Sequence, residues 1–289
     1  MGAIEDIVLR GDRRGIAKLR GSVSDDFCTD AAQFILDHPG KVLIATGFYI
    51  LSAGAPETDG PPGAIVLGKA IESLGSHVAY VTDAHTAPIM EAGGVAEDNV
   101  FIFPILNWEE SQNRAARILE DVQPDLLIAI ERCGRTRAGE YLNMRGQDIS
   151  EWTGKLDALF TNHEATIGIG DGGNEVGMGT LYDVIPSVST LVQDPCDVAA
   201  THLVLAAVSN WGGYGVVAAL SRLTGKRLLP NADSHSRMIR KMAQAGAVDG
   251  TTGAQEPVVD GFSLEENIKV LTDLRALEST TRLTRSPAL

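Results

Sequence analysis

The sequence predicts an α/β fold, a doubly wound, mostly parallel sheet flanked by helices, with an acidic site at the carboxyl ends of the strands. Three observations carry this. Short apolar, β-branched runs alternate with longer amphipathic stretches, as when helices cover both faces of a parallel sheet. Glycine is frequent, 31 of 289 residues against an average of ~7%, and much of it is clustered beside acidic residues. Those clusters follow apolar runs, and ligands of such sheets bind beyond the carboxyl ends of the strands.

The expected strands are Val42–Thr46, His77–Thr82, Val100–Pro104, Asp125–Ile130, Thr166–Gly170 and Leu203–Val208. Lys41 opens the clearest of them, KVLIATG, straight after the stop signal His38-Pro39-Gly40 that ends a helix over Thr29–Asp37. Further helices are expected over Ala64–Leu74, Trp108–Val122, Trp211–Thr224, Ser234–Gln244 and Leu264–Ala276. Residues Thr251–Asp260 are the least patterned interior stretch, and the polar tail STTRLTRSPAL is expected to fray. No internal repeat or low-complexity linker divides the chain, so residues 1–289 read as a single domain.

Composition excludes several function classes. With 24 Lys+Arg against 38 Asp+Glu, the net charge is −14 at pH 7, which argues against nucleic-acid and anionic-membrane partners. No apolar stretch approaches the roughly 18 to 20 residues of a membrane span, and the N-terminus has no signal-like apolar core, so a soluble, unprocessed, cytoplasmic protein is expected. Cys28, Cys133 and Cys196 fit neither a disulfide framework nor a CxxC zinc site. The six histidines form no HExxH or HxH pair, and no GxSxG elbow exists. Oxygen ligands without sulfur or clustered imidazole point to Mg²⁺ or Mn²⁺.

The acidic loops are the candidate site. After the first strand, Glu57 and Asp59 flank Thr58 within a Pro/Gly frame, Pro56 and Gly60-Pro61-Pro62-Gly63, which fixes an unusual backbone path. They are either two oxygen ligands for a divalent cation, with N–H groups at Gly63-Ala64 facing an anion, or a solvated acidic turn. Glu131 ends the Asp125–Ile130 run and is a metal ligand or half of an ion pair with Arg132 or another cation. Arg135, Arg137 and Arg145 follow, a cationic density that suits a carboxylate or phosphate, or a solvated loop. The strongest signal is GDGGNEVGMG, Gly170 to Gly179, in which Asp171, Asn174 and Glu175 stand among five glycines. Gly172 and Gly173 permit close ligand approach, and the stretch matches neither a Walker A loop nor an EF-hand. Ser209 and Asn210, before Trp211, can cap the following helix or meet an anionic ligand at its N-terminus. His163-Glu164 is an acid/base element or a structural pair.

The motifs TGF (46–48), ETDGPPGA (57–64), AIER (129–132), GDGGNEVGMG (170–179) and VSNWGGYG (208–215) closely resemble the C-terminal domain of mitochondrial D-glutamate cyclase and its stand-alone prokaryotic relatives. The resemblance runs from about residue 20 to residue 276, with Cys133 where the family's AIERPG form has proline. It implies an α/β fold and conversion of D-glutamate to 5-oxo-D-proline with loss of water. On that reading Glu57, Asp59, Asp171 and Glu175 hold a divalent cation, Mg²⁺ or Mn²⁺, that polarises the γ-carboxylate. Glu131 takes an ammonium proton, and Arg135 or Arg137 holds the α-carboxylate. Gly172, Gly173, Asn174, Ser209 and Asn210 contact the small anionic substrate. Two other readings fit the same loops: a Mg²⁺- or Mn²⁺-dependent phosphatase for a small phosphorylated metabolite, and a non-catalytic metabolite-binding module. A homodimer is expected only as the commonest oligomer.

Overall fold

The computed structural model describes residues 2–278, so the tail 279–289 lies outside the described residues. A short helix α1 (Ala3–Val8), a 3-10 segment (Ile16–Ser22) and α2 (Phe27–Asp37) lead into strand β1 (Lys41–Thr46). A two-residue ribbon, β2 (Tyr49–Ile50) with β3 (Ala55–Pro56), folds within the next loop. Then come α3 (Pro61–Ser73), β4 (His77–Thr82), α4 (Ala87–Ala92), β5 (Val100–Ile102), α5 (Trp108–Val122) and β6 (Leu126–Ile130). The chain continues through α6 (Asp157–Phe160), β7 (Thr166–Gly170), β8 (His202–Leu205), α7 (Ser209–Thr224), α8 (Ala232–Gln244) and α9 (Leu264–Leu277).

Six of these strands form one all-parallel sheet in the order β5-β4-β1-β6-β7-β8. The chain winds from β1 out to one edge, crosses back to β6 beside β1, and winds to the other edge. Strands β1 and β6 therefore form the switch point at which a doubly wound sheet opens a crevice. Their register aligns Thr46 with Ile130, so the loops starting at Gly47 and Glu131 leave side by side. Every residue of β6 and β7 is buried, because helices cover both faces and no polar side is needed.

Helix α7 is buried from Ser209 to Ser221 and packs against α1, α2, α3 and α9. Such a helix is apolar all round, unlike amphipathic α5, which packs against α6. The helix starts expected from the sequence fall two or three residues late at α2, α3, α7 and α8, because first turns such as Pro61-Pro62-Gly63 and Ser209-Asn210 are polar or Pro/Gly-rich. The last strand stops at Leu205 rather than Val208, since Val208 is the extended N-cap of α7. Among the described residues no helix is long and apolar enough to cross a membrane.

Candidate functional site

The loop after β1 is locked onto the start of α7. Gly60 adopts φ 93°, and a Cβ there would meet Thr46 Oγ1 at 2.7 Å and Glu131 Cβ at 2.8 Å, so only glycine lets the loop cross the switch point. The Asp59 carboxylate accepts the backbone N–H groups of Ser209 (2.8 Å), Asn210 (2.8 Å) and Gly60 (2.9 Å). Asn210 replies, its Oδ1 accepting from Gly60 and Gly63 and its Nδ2 donating to the Thr58 carbonyl. The expectation that Ser209 or Asn210 caps α7, or that free N–H groups there and at Gly63-Ala64 meet a ligand, is corrected accordingly. The group at this helix N-terminus is the Asp59 carboxyl itself, whose ionised form the backbone N–H donors and the helix dipole favour against burial.

The glycine-rich loop after β7 is stitched by its own acid. Glu175 Oε1 accepts from the N–H groups of Asp171 (2.8 Å) and Gly172 (2.6 Å), and Oε2 from that of Gly173 (2.7 Å). Gly177, at φ 105°, folds this loop back so closely that a Cβ would lie 2.7 Å from Gly168 Cα. The turn presents Asp171 inward. Asn174 Nδ2 donates to the Leu142 carbonyl, and the 132–134 segment pairs with 174–176 through Gly134 N–H to Asn174 O and Val176 N–H to Arg132 O.

Glu131 stands between the two loops. Its φ is 45°, a left-handed conformation costing roughly 1–2 kcal/mol in a non-glycine residue. The kink sends neighbouring side chains to different places. Glu131 Oε2 accepts from Ser209 Oγ at 2.6 Å, while Arg132 turns into the protein to pair with Asp83. Of the alternatives open for Glu131, an ion pair with Arg132 is not formed, since Arg132 pairs with Asp83.

Two residues that sequence reasoning missed complete the site. Arg14, from the segment before the first 3-10 turn, forks onto Asp260, with Nη1 to Oδ2 at 3.0 Å and Nη2 to Oδ1 at 2.8 Å. Its Nη1 also lies 2.5 Å from Asp171 Oδ2, but misaligned, so that buried oxygen has no hydrogen bond. Asp260 belongs to the stretch without pattern and adopts φ 52°. Buried Asp249 shapes that loop, accepting from Gly261 N–H and from Thr252. The one sequence signal for this position was the Asp260-Gly261 dipeptide, a turn former.

Asp59, Asp171 and Asp260 each bring a carboxylate oxygen within 4.8 Å of the others, as do Glu131, Asp171 and Glu175. Glu57 is buried beside them, its Oε2 facing Gly250. Within this group Arg14 is the cation, so the buried charge is unbalanced. Burial, then the neighbouring carboxylates, push Glu57, Glu131 and Asp171 well above the usual carboxylate range, Arg14 opposing this at Glu57 and Asp171. Burial and Asp260 push Asp59 up to about 8. Burial also opposes the charge on Asp260, but the Arg14 fork outweighs it and holds that group below its ordinary value.

A cavity of about 200 Å³ opens onto this group, lined by Arg14, Glu57, Glu131, Asp171, Asn174 and Arg145 among others. It is small beside the roughly 300–1,000 Å³ of drug-sized pockets and suits a small metabolite. Arg135 and Arg137 are not on its wall: Arg135 stacks over Trp108 near Asp157, and Arg137 pairs with Asp197 and stacks over Tyr182. Trp211 packs on Phe262 and donates to Asn267, and His163 bonds two carbonyls, so both serve structure.

The model of the D-glutamate cyclase-like, C-terminal family matches residues 4–275, reaching sixteen residues further toward the N-terminus than the motifs indicated and including Arg14. Human mitochondrial D-glutamate cyclase is 34% identical over 232 residues, 73% of this chain and 36% of that protein. The chain thus spans about a third of the relative's length. Among solved structures, an exopolyphosphatase-related protein from Bacteroides fragilis aligns over 88% of this chain and 57% of its own, with TM-score 0.39 and 8% identity, too slight a likeness to carry an argument. On the family match, the chain belongs to the D-glutamate cyclase-like, C-terminal family.

Proposed function

We propose that this protein is a D-glutamate cyclase-type lyase, converting D-glutamate to 5-oxo-D-proline and water with the help of a divalent cation, Mg²⁺ or Mn²⁺. The observation that carries the proposal is the set of buried carboxylates facing Arg14 on one small cavity at the switch point. A buried group with this excess of negative charge must take up protons or a cation. Its hard oxygen donors, among them Asp171 Oδ2, which pairs with Arg14 but accepts no hydrogen bond, fit Mg²⁺ or Mn²⁺.

Asp171 would hold the ion, with Asp59 and Asp260 within reach of it and Glu57 on the same cavity wall. Asp59 and Glu175 already spend their oxygens on backbone N–H groups, so both chiefly shape the loops that aim the others. When bound, the ion supplies Lewis-acid polarisation of the γ-carboxylate. The reaction forms a bond from the amine nitrogen to the carbon of the γ-carboxyl group and breaks one of that carbon's bonds to oxygen, the ammonium giving up two protons and the departing oxygen leaving as water. Glu131, with Oε2 held by Ser209, keeps Oε1 for a proton taken from the ammonium group and returned to the leaving oxygen. Arg145, whose guanidinium has no partner among the described residues, takes over the α-carboxylate role expected of Arg135 or Arg137, since it lies on the cavity wall.

The test is incubation of the purified protein with D- or L-glutamate and Mn²⁺ or Mg²⁺, with and without chelator, following 5-oxoproline by chiral chromatography. Chelator-sensitive product from the D substrate alone is expected. Absence of product from either enantiomer contradicts the proposal.

A further inference from the structure

A second cavity of about 300 Å³ lies between α3, α4 and α8, away from the carboxylates. Its apolar wall includes Ile65, Val66 and Met238, and its cations are Lys69 of α3 and Arg237 and Lys241 of α8. Arg237 and Lys241, four residues apart, share one face of their helix. No aspartate or glutamate lines the cavity, although the chain carries 38 acidic residues against 24 basic ones. Among the described residues none of the three cations makes an ion pair or side-chain hydrogen bond.

His235 is a second, independent pointer. It lines the same cavity, is 1% exposed, and its Nδ1 is buried without a hydrogen-bond partner. Its Nε2 lies 2.8 Å from the Tyr214 hydroxyl. Burial lowers its pKa to about 4, so the ring is neutral at pH 7. When the Tyr214 hydroxyl donates to Nε2, the ring proton sits on Nδ1, a buried donor left unmet at a cost of about 1–3 kcal/mol. The ring forms part of the cavity wall, so a ligand that opens a path to Nδ1 would supply the acceptor it lacks.

We propose that this cavity is a second ligand site, for a small organic oxyanion whose apolar body lies on Ile65, Val66 and Met238 and whose phosphate or carboxylate is held by Lys69, Arg237 and Lys241. The inference does not depend on the reaction proposed above. Phenyl phosphate, benzoate and inorganic phosphate are titrated into the full chain while the side-chain nitrogen resonances of His235 are followed. Saturable movement of the Nδ1 resonance with phenyl phosphate or benzoate is expected, the tighter of the two identifying a phosphate or a carboxylate as the natural group. The double variant Arg237→Glu, Lys241→Glu, at exposed helix positions and with an unchanged denaturation midpoint, should weaken that binding about tenfold or more. Asp171→Asn should leave it unaltered, separating this site from the carboxylate cavity. No saturable movement, equal affinity in the double variant, or inorganic phosphate binding as tightly as phenyl phosphate overturns the proposal.

Discussion

Glu131 and Arg132 are adjacent in sequence yet belong to two opposite kinds of buried charge. Arg132 is matched in charge and at both terminal nitrogens: Nη1 donates to Asp83 Oδ2 at 2.7 Å and the Gly47 carbonyl at 2.8 Å, and Nη2 to the Gly154 carbonyl at 2.6 Å, while Nε alone has no partner among the described residues. It ties the loops after β1, β4 and β6 together. Glu131 faces the other way, into carboxylates that outnumber their cation. The contrast separates architecture from function: a balanced buried pair closes on itself, whereas an unbalanced one is built to receive something from outside.

The comparison breaks most sharply at the balanced end. Arg132→Met leaves Asp83 buried without its partner and should cost about 3–5 kcal/mol of stability, read from denaturant unfolding. At the unbalanced end, Glu131→Gln keeps an acceptor for Ser209 and should leave stability within about 1 kcal/mol, while lowering turnover of D-glutamate by about 10²-fold or more, the range for losing a positioned base. A comparable loss of stability in both variants contradicts the distinction. Asp171→Asn removes one excess charge, and should weaken divalent-cation binding by about tenfold or more without lowering the stability of the chelated protein. Calorimetric titration and unfolding of the same sample check both halves.

The smallest effect is a drift with pH. Asp59 lies at about 8 against an ordinary 3.8, and Glu57, Glu131 and Asp171 are displaced the same way. An acid raised on folding binds more protons in the folded state, so its contribution is complete below its unfolded value and is lost as the pH rises through the folded one. The chelated protein should therefore lose stability steadily between about pH 4 and pH 8, and Asp59→Asn should flatten part of that slope. Asp260, held below its ordinary value, titrates under this window and does not offset it. A flat profile in denaturant midpoint over this range contradicts the charge imbalance.

The sheet was legible because its strands are buried on both faces, so their apolar runs announce themselves without any partner in view. The short helices α1, α4 and α6 were not, being only six, six and four residues long, too few to show a helical period. Glu57, Asp59, Glu131, Asp171 and Glu175 were legible as chemistry because each follows an apolar run. Their division of labour was not: Glu175 and Asp59 spend their oxygens on backbone N–H groups, which depends on loop geometry and on contacts 150 residues away. Arg14 and Asp260 meet across 246 residues of sequence, and neither stretch has periodicity. Arg145 could be told from Arg135 and Arg137 only by which of them reached the cavity wall.

The central claim, that the unbalanced carboxylates hold a divalent cation in place of protons, is tested most directly by titrating Mn²⁺ calorimetrically near pH 7 in two buffers of different ionisation heat. Carboxyl groups that give up protons to the ion release them to the buffer, so binding is expected with an apparent enthalpy that differs between the buffers. No binding, or the same heat in both, contradicts it.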